Sequence, residues 1–136
     1  RAMVLMSQKA VAQRMHAKPE HDRYGFLSVV VQTFGEPRIV TEAGPRDFEP
    51  PPRVASRVLA FRPRDISINR PRYFSFLKAC FLHPRKLLVS NLASLGDVTR
   101  EQVIPLLLSR SHSEKARAEE LKVEDFLSIA AQLGYS

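Results

Sequence analysis

The sequence predicts an α/β unit with a three-stranded sheet, followed by a small all-α domain. The apolar run at residues 3–6 is typical of the end of a buried strand, and residues 38–43 and 53–61 have strand character. From residue 73 onwards, apolar side chains recur at helical spacing. Because α/β sheets are usually wider and covered on both faces, three strands indicate the last part of a larger sheet.

Two helices are expected between the first and second strands. Ser7 is a residue type that caps helices, and it predicts a helix with its body at 8–15. Residues 24–34 have apolar side chains near helical spacing, while the run Val29–Val31 leaves a strand open as the alternative. A glycine and a proline within 35–37 are expected to end this element.

Prolines divide the middle of the chain. Three in succession at 50–52 predict an extended loop over 46–52, since each fixes φ and removes a backbone donor. The alternating segment 53–61 is then expected to pair antiparallel with 38–43. A polar, proline-containing linker is expected at 63–71.

The remaining chain is predicted to be helical. Residues 73–95 form a long apolar-patterned stretch that Pro84 must interrupt, and we expect this proline at the first position of a second helix. Gly96 is expected to end that helix. A capping-box pattern at 99–102 predicts another helix, and apolar spacing predicts the last one at 123–133.

The positive charge of this chain is concentrated in one stretch. Residues 46–86 carry ten lysines or arginines and three acids, which accounts for the net charge of +7 of the 136 residues. Such an excess indicates an anionic partner, either nucleic acid or an acidic membrane surface, and a localised basic stretch is a better signal of nucleic-acid binding than a diffuse one. The alternative is an ordinary solvated surface. No apolar run approaches the roughly 20 residues that span a bilayer.

Several classes of site are not expected. Cys80 is a lone cysteine, which excludes an internal disulfide and fits a reducing compartment. The histidines have no metal-ligand spacing, and no nucleophile-elbow pattern surrounds any serine. The five glycines are isolated, so no phosphate-binding loop is present and this chain alone is not expected to bind a nucleotide-like cofactor.

Phe48 is followed closely by the triple proline and Arg53. An aromatic ring beside a stiff backbone and a cation is typical of a platform on which a nucleic-acid base stacks. The alternative is that Phe48 fills a place in the core, as most phenylalanines do.

Five segments carry a resemblance to a known family. They are Met6–Ala12, Tyr24–Val29, Phe48–Ser56, Phe81–Lys86, and Arg117–Glu119 with Glu124–Phe126. In this order they resemble the ribosomal-RNA adenine dimethyltransferases, the KsgA family, and the Phe-x-Pro-Pro-Pro-Arg-Val segment is the most specific of them. The resemblance implies transfer of two methyl groups from S-adenosylmethionine to adenine amines of small-subunit rRNA.

The resemblance also implies the place of this chain in the family fold. Residues 1–6 would hold the fifth strand of a Rossmann-like methyltransferase sheet, and 38–43 and 54–61 its last two strands. Residues 1–64 would then be the C-terminal part of the catalytic domain, and 65–136 a helical rRNA-binding domain. The family's glycine-rich cofactor loop and Asn-Leu-Pro-Tyr motif lie upstream of any matching segment, so the chain is expected to lack the cofactor-binding half.

By the same resemblance, Phe48 would stack on the target adenine, while Arg53, Arg85 and Lys86 would contact RNA. Pro84 stands where the family often has arginine, which weakens that basic cluster by one charge. The implied partners are small-subunit rRNA and the small ribosomal subunit or its precursor, with no membrane. A monomer in the cytoplasm, or in an organelle matrix or stroma, is expected. The alternative is a non-catalytic RNA-binding or ribosome-assembly protein derived from this family.

Overall fold

The computed structural model describes residues 3–43 and 56–136, and the chain divides into two compact units. Unit 1 comprises Arg1–Lys18 and Asp22–Ile66, and unit 2 comprises Pro19–His21 and Ser67–Ser136. Unit 1 is an α/β layer and unit 2 is helical. None of the helices in the described ranges is long and apolar enough to cross a membrane.

The described residues of unit 1 form three strands and two helices. In chain order they are β1 (Met3–Gln8), α1 (Lys9–His16), α2 (Phe26–Phe34), β2 (Gly35–Ala43) and β3 (Ser56–Pro63). The strand order is β1-β3-β2, and both outer strands run antiparallel to β3. The predicted antiparallel pairing of 38–43 with 53–61 is confirmed for residues 56–61, since 53–55 lie outside the described residues. The helix predicted within 24–34 is confirmed from Phe26 onwards, and the strand alternative for Val29–Val31 is wrong. Fully buried Val29 of α2 and Leu59 of β3 belong to the core of this unit.

The first strand differs from the prediction in two respects. Ser7 does not cap α1, because the strand continues through it, opposite Arg57, and α1 begins only after Gln8. The expectation of a buried strand is also wrong: Val4 is 70% exposed and Met6 is 58% exposed. The reason is position, since β1 lies at the edge of the sheet and β3 is its one partner among the described residues.

As predicted, α2 ends before Gly35, and the chain passes directly into β2. Pro37 lies inside this strand, opposite Phe61. A proline is tolerated there because β2 is the other edge of the sheet, where a missing N–H need not break a ladder.

Gly35 is a residue where a side chain does not fit. A Cβ atom there would stand 2.3 Å from Cζ of Phe61 and 2.6 Å from the carbonyl oxygen of Arg62. We expect Gly35→Ala to lower the free energy of unfolding by about 1–3 kcal/mol, because β2 and β3 must separate locally. Chemical unfolding measures this, with Gly25→Ala as control, since a Cβ at Gly25 meets no atom within 4 Å. Equal stability of the two variants would contradict the close approach.

Unit 2 contains four α-helices and two short 3-10 helices around an apolar core. The α-helices are α3 (Arg70–Cys80), α4 (Leu88–Leu92), α5 (Arg100–Ser109) and α6 (Val123–Gln132). The largest of its fully buried side chains are Tyr73, Phe76, Leu77, Leu88, Leu92, Leu107, Leu121, Phe126 and Ile129. The aromatic rings of Phe81 and Phe126 lie 5.6 Å apart, which ties the end of α3 to α6.

The helix boundaries of unit 2 follow local sequence signals. The capping box of α5 is confirmed, since Thr99 N–H donates to Gln102 Oε1 (2.9 Å) and Gln102 N–H to Thr99 Oγ1 (3.3 Å). Gly96 has φ of 85° and ends the turn that follows α4, also as predicted. Pro84 does not begin a helix. It lies in a turn before α4, whose preceding residue is Leu87.

Candidate nucleic-acid interface

The cations of the basic stretch 46–86 lie mostly at the surface. Arg46 and Arg53 lie outside the described residues, and Arg57 is half-buried. The exposed members are Arg62, Arg64, Arg70, Arg72, Lys78, Arg85 and Lys86. These exposed cations have few acidic residues near them in the sequence, and such a surface suits a polyanionic partner.

One of these cations has a structural role. Arg72 donates from Nε to the carbonyl oxygen of Gly134 (2.8 Å), and its guanidinium lies 4.5 Å from the centre of the Tyr135 ring. The Tyr135 hydroxyl in turn donates to Asp97 (2.6 Å), and this bond, with burial, raises the pKa of the tyrosine. Arg72 therefore anchors the end of the chain onto α3.

The basic turn, residues 81–87, joins α3 to α4 and presents Arg85 and Lys86. Both side chains are exposed, as are His83 and Pro84, and Leu82 is 52% exposed. The backbone of this turn is nevertheless held, because Lys86 N–H donates to the His83 carbonyl (3.1 Å). The two cations thus project from a hydrogen-bonded turn, an arrangement that can contact phosphate groups at little cost in conformational entropy.

Asn91 on α4 fixes the first half of the basic turn. Its amide Nδ2 donates to the carbonyl oxygens of Cys80 (2.9 Å) and His83 (3.0 Å), and its Oδ1 accepts from His83 N–H (3.2 Å). At 2% exposure it is a buried polar residue with all these partners in the backbone. The one sequence signal for this role is a polar residue within an apolar helix.

The segment after α5 lies against the start of α4. Leu88 N–H donates to the carbonyl oxygen of Ala116 (2.9 Å), so the second end of the basic turn is anchored to this segment. The neighbouring Arg117 is exposed, and its N–H donates to the Glu120 carboxylate (2.7 Å). This places the Arg117–Glu119 motif beside the start of α4.

Asp125 is the centre of a buried ionic cluster in the same unit. Its side chain is 3% exposed, with Arg110 Nε 2.8 Å from one oxygen and His112 Nε2 2.8 Å from the other. Lys122 N–H also donates to this carboxylate (3.2 Å). Burial alone would raise the pKa of Asp125, but the hydrogen bonds from His112 and Arg110 outweigh it and lower the pKa below its ordinary value.

In unit 1, two polar side chains on the apolar helix α2 hold the end of α1. Gln32 Nε2 donates to the carbonyl oxygens of Met15 (3.1 Å) and Ala17 (2.6 Å), and the Ser28 hydroxyl donates to that of Arg14. Helix ends leave such carbonyl groups without intrahelical partners. Ser28 and Gln32 thereby satisfy carbonyl groups at the C-terminal end of α1.

A cavity of about 600 Å³ opens beside this contact. It is lined by Arg14, Ser28 and the segment 22–27, which contains Arg23, Tyr24 and Phe26. Guanidinium groups beside aromatic rings can contact phosphate and base. The Asp22 carboxylate at the same cavity offsets part of that positive charge.

The described residues offer little covalent or metal chemistry. Complete burial raises the pKa of the Cys80 thiol well above its ordinary value, and a buried neutral thiol is a poor nucleophile. Within 3–43 and 56–136, no three His, Cys, Asp or Glu side chains come together as a metal site requires. Phe48, the one residue assigned to the target base, lies outside the described residues, as does Arg53.

Comparison with models of protein families identifies the family of this chain. The family model described as "Ribosomal RNA adenine dimethylase" matches residues 1–134. The chain belongs to this family. The resemblance seen in the sequence motifs is thereby confirmed, and members of the ribosomal RNA adenine dimethylase family modify ribosomal RNA, as their names state.

Curated relatives in this family carry the name ribosomal RNA small subunit methyltransferase A. The protein of Bdellovibrio bacteriovorus is 44% identical over 98% of this chain and 50% of its own length. That of Nostoc punctiforme is 36% identical over 97% of this chain and 46% of its own length. The chain thus spans about half the length of the curated relatives that it matches.

Solved structures of methyltransferases share the fold. A dimethyladenosine transferase from Plasmodium falciparum superposes with a TM-score of 0.80 at 24% identity, over 99% of this chain and 58% of its own. The 23S rRNA methyltransferase ErmE gives a TM-score of 0.72 at 21% identity, over 98% and 55%. The α/β unit with its three-stranded sheet and the helical unit therefore have the same folds as the matching parts of these two proteins.

Proposed function

We propose that this chain forms the target-base and RNA-binding side of an S-adenosylmethionine-dependent adenine-N6 dimethyltransferase that acts on small-subunit rRNA. The observation that carries the proposal is the match of residues 1–134 to the ribosomal RNA adenine dimethylase family. The names of the relatives supply the substrate, since they are called ribosomal RNA small subunit methyltransferase A.

Within this proposal the chain corresponds to the C-terminal portion of the family fold. Residues 1–64 are the last strands of the catalytic domain, and 65–136 are the helical rRNA-binding domain. The edge strand β1 supports this assignment, because Met3, Val4 and Met6 are 48%, 70% and 58% exposed. Exposed apolar side chains on both faces of this strand favour cover by further elements, and within the described residues its second edge is open to a further strand.

The other half of that fold would supply the binding site for S-adenosylmethionine. A glycine-rich loop that approaches a nucleotide-like cofactor needs clustered glycines, and the glycines of this chain are isolated. The residues do not fit the cofactor, so no step through it is assigned to them. Their task is to bind the RNA and to hold the adenine, with Phe48 as the stacking surface.

The RNA contact is tested by the salt dependence of binding. We expect the 136-residue chain to bind small-subunit rRNA weakly, through phosphate contacts that release counterions. Removing both cations in Arg85→Ala/Lys86→Ala should lower the affinity and flatten the log–log salt slope by about 1–2 units. Arg100→Ala/Lys122→Ala removes the same charge from exposed positions of unit 2 and serves as control. An unchanged slope for Arg85→Ala/Lys86→Ala would show that the basic turn is only a solvated surface.

A further inference from the structure

The amide of Asn91 makes three hydrogen bonds with the end of α3 and the first half of the basic turn. Both Nδ2 hydrogens go to backbone carbonyl groups, of Cys80 (2.9 Å) and His83 (3.0 Å), and Oδ1 accepts from His83 N–H (3.2 Å). Cys80 is the last residue of α3, so its carbonyl is one that the helix leaves unsatisfied. A single side chain of α4 therefore joins the end of α3 to the middle of the turn.

The outer part of the turn has little other support. Leu82 is 52% exposed and the side chains of 83–86 are all exposed, so they add little packing. The His83 carbonyl that Asn91 holds also accepts the N–H of Lys86 (3.1 Å). The backbone of Lys86 thus depends on His83, and His83 depends on Asn91.

We infer that Asn91 is the positioning residue of the RNA contact, one that presents Arg85 and Lys86 without touching RNA itself. This inference rests on the proposed function of the basic turn. A turn already held in one conformation loses less entropy when its side chains meet phosphate groups than a turn that must first be ordered. The buried amide contributes to affinity in this way, in addition to any contribution to stability.

The test compares two variants of the same helix. Asn91→Ala removes the three bonds, while Val89→Ala opens a space at a residue of the same helix that is 1% exposed. Both are measured well below their melting temperatures. We expect Asn91→Ala to weaken RNA binding by about three- to tenfold and to speed amide hydrogen exchange at His83. Val89→Ala should leave both unchanged. If Asn91→Ala does not fold, Asn91→Ser, which can make at most part of these bonds, takes its place.

A double-mutant cycle separates this inference from the proposed function. In the Arg85→Ala/Lys86→Ala background, Asn91→Ala should cause no further loss of affinity, because the groups that it positions are gone. The same loss in both backgrounds, or unchanged affinity of Asn91→Ala despite faster exchange at His83, would overturn the positioning role and leave the RNA contact standing. Unchanged binding of Arg85→Ala/Lys86→Ala would instead overturn the RNA contact, and with it the inference.

Discussion

Phe48→Ala in the complete enzyme is expected to cut methyl transfer by about tenfold to a hundredfold while leaving cofactor binding and fold nearly unchanged. An adenine must leave its stack before its amine can meet a methyl donor, and it needs a surface to replace the lost stacking. Prolines 50–52 restrict the backbone beside the ring, so little entropy remains to be lost on binding. The loss of one stacking contact amounts to about 1–3 kcal/mol.

The aromatic series at Phe48 distinguishes stacking from a packing role. If the ring face matters, Phe48→Tyr and Phe48→Trp retain much of the activity, and all three variants melt near the parent temperature. If Phe48 instead fills a place in the core, Ala lowers the melting temperature by several degrees and the larger Trp is worse. Methyl transfer and melting temperature are therefore measured on the same samples. A stability loss that accounts for the whole activity loss would refute the stacking role.

Asp125→Asn is expected to lower the free energy of unfolding at pH 7 by about 2–4 kcal/mol. The carboxylate accepts from Arg110 on one oxygen and from His112 and the Lys122 N–H on the other. An amide has one acceptor oxygen, so its NH₂ group must face one of these donors. Glu124→Gln, an exposed neighbour on α6, is the control and should change stability by no more than about 1 kcal/mol.

The pH dependence of this difference follows from the lowered pKa of Asp125. A carboxyl group with a lowered pKa in the folded state stabilises the protein above its unfolded pKa, and this contribution is lost as the pH falls through the folded pKa. The stability gap between the parent and Asp125→Asn should therefore be full at pH 7 and shrink below about pH 4. Urea unfolding of both proteins at neutral pH and in acid measures this difference in the free energy of unfolding. A gap that stays constant into acid would contradict the ionised state of Asp125.

Local patterns predicted the elements whose causes are local. The alternation at 53–61, the capping box at Thr99 and the left-handed Gly96 depend on neighbours within a few residues. The structure contains the capping box and the left-handed glycine, and it contains a strand over 56–61, the described part of the alternating segment. Ser7 failed as a cap because pairing with β3 extended the strand past it. Tertiary hydrogen bonding outweighed a capping preference of about 1 kcal/mol.

The sequence did not predict the side chains that support the candidate interface, because their contacts are with residues distant in the chain. Asn91, Ser28 and Gln32 act on backbone carbonyl groups 8 to 17 residues away, and no spacing rule marks such contacts. A polar residue within an apolar helix was the one available signal. The prediction for Pro84 was wrong because a turn of several residues separates α3 from α4. The apolar spacing on either side of this turn did not indicate that it was there.

We propose that this chain carries the rRNA-binding and base-holding half of an adenine dimethyltransferase. The direct measurement joins it to the other half of the Bdellovibrio bacteriovorus relative, of which it matches 50%. The chimera is assayed for methyl transfer to small-subunit rRNA, with S-adenosylmethionine binding as the test of folding. We expect dimethylated adenine, lost or strongly reduced with Phe48→Ala and with Arg85→Ala/Lys86→Ala. A folded chimera that binds S-adenosylmethionine and rRNA but forms no methyladenine would contradict the account.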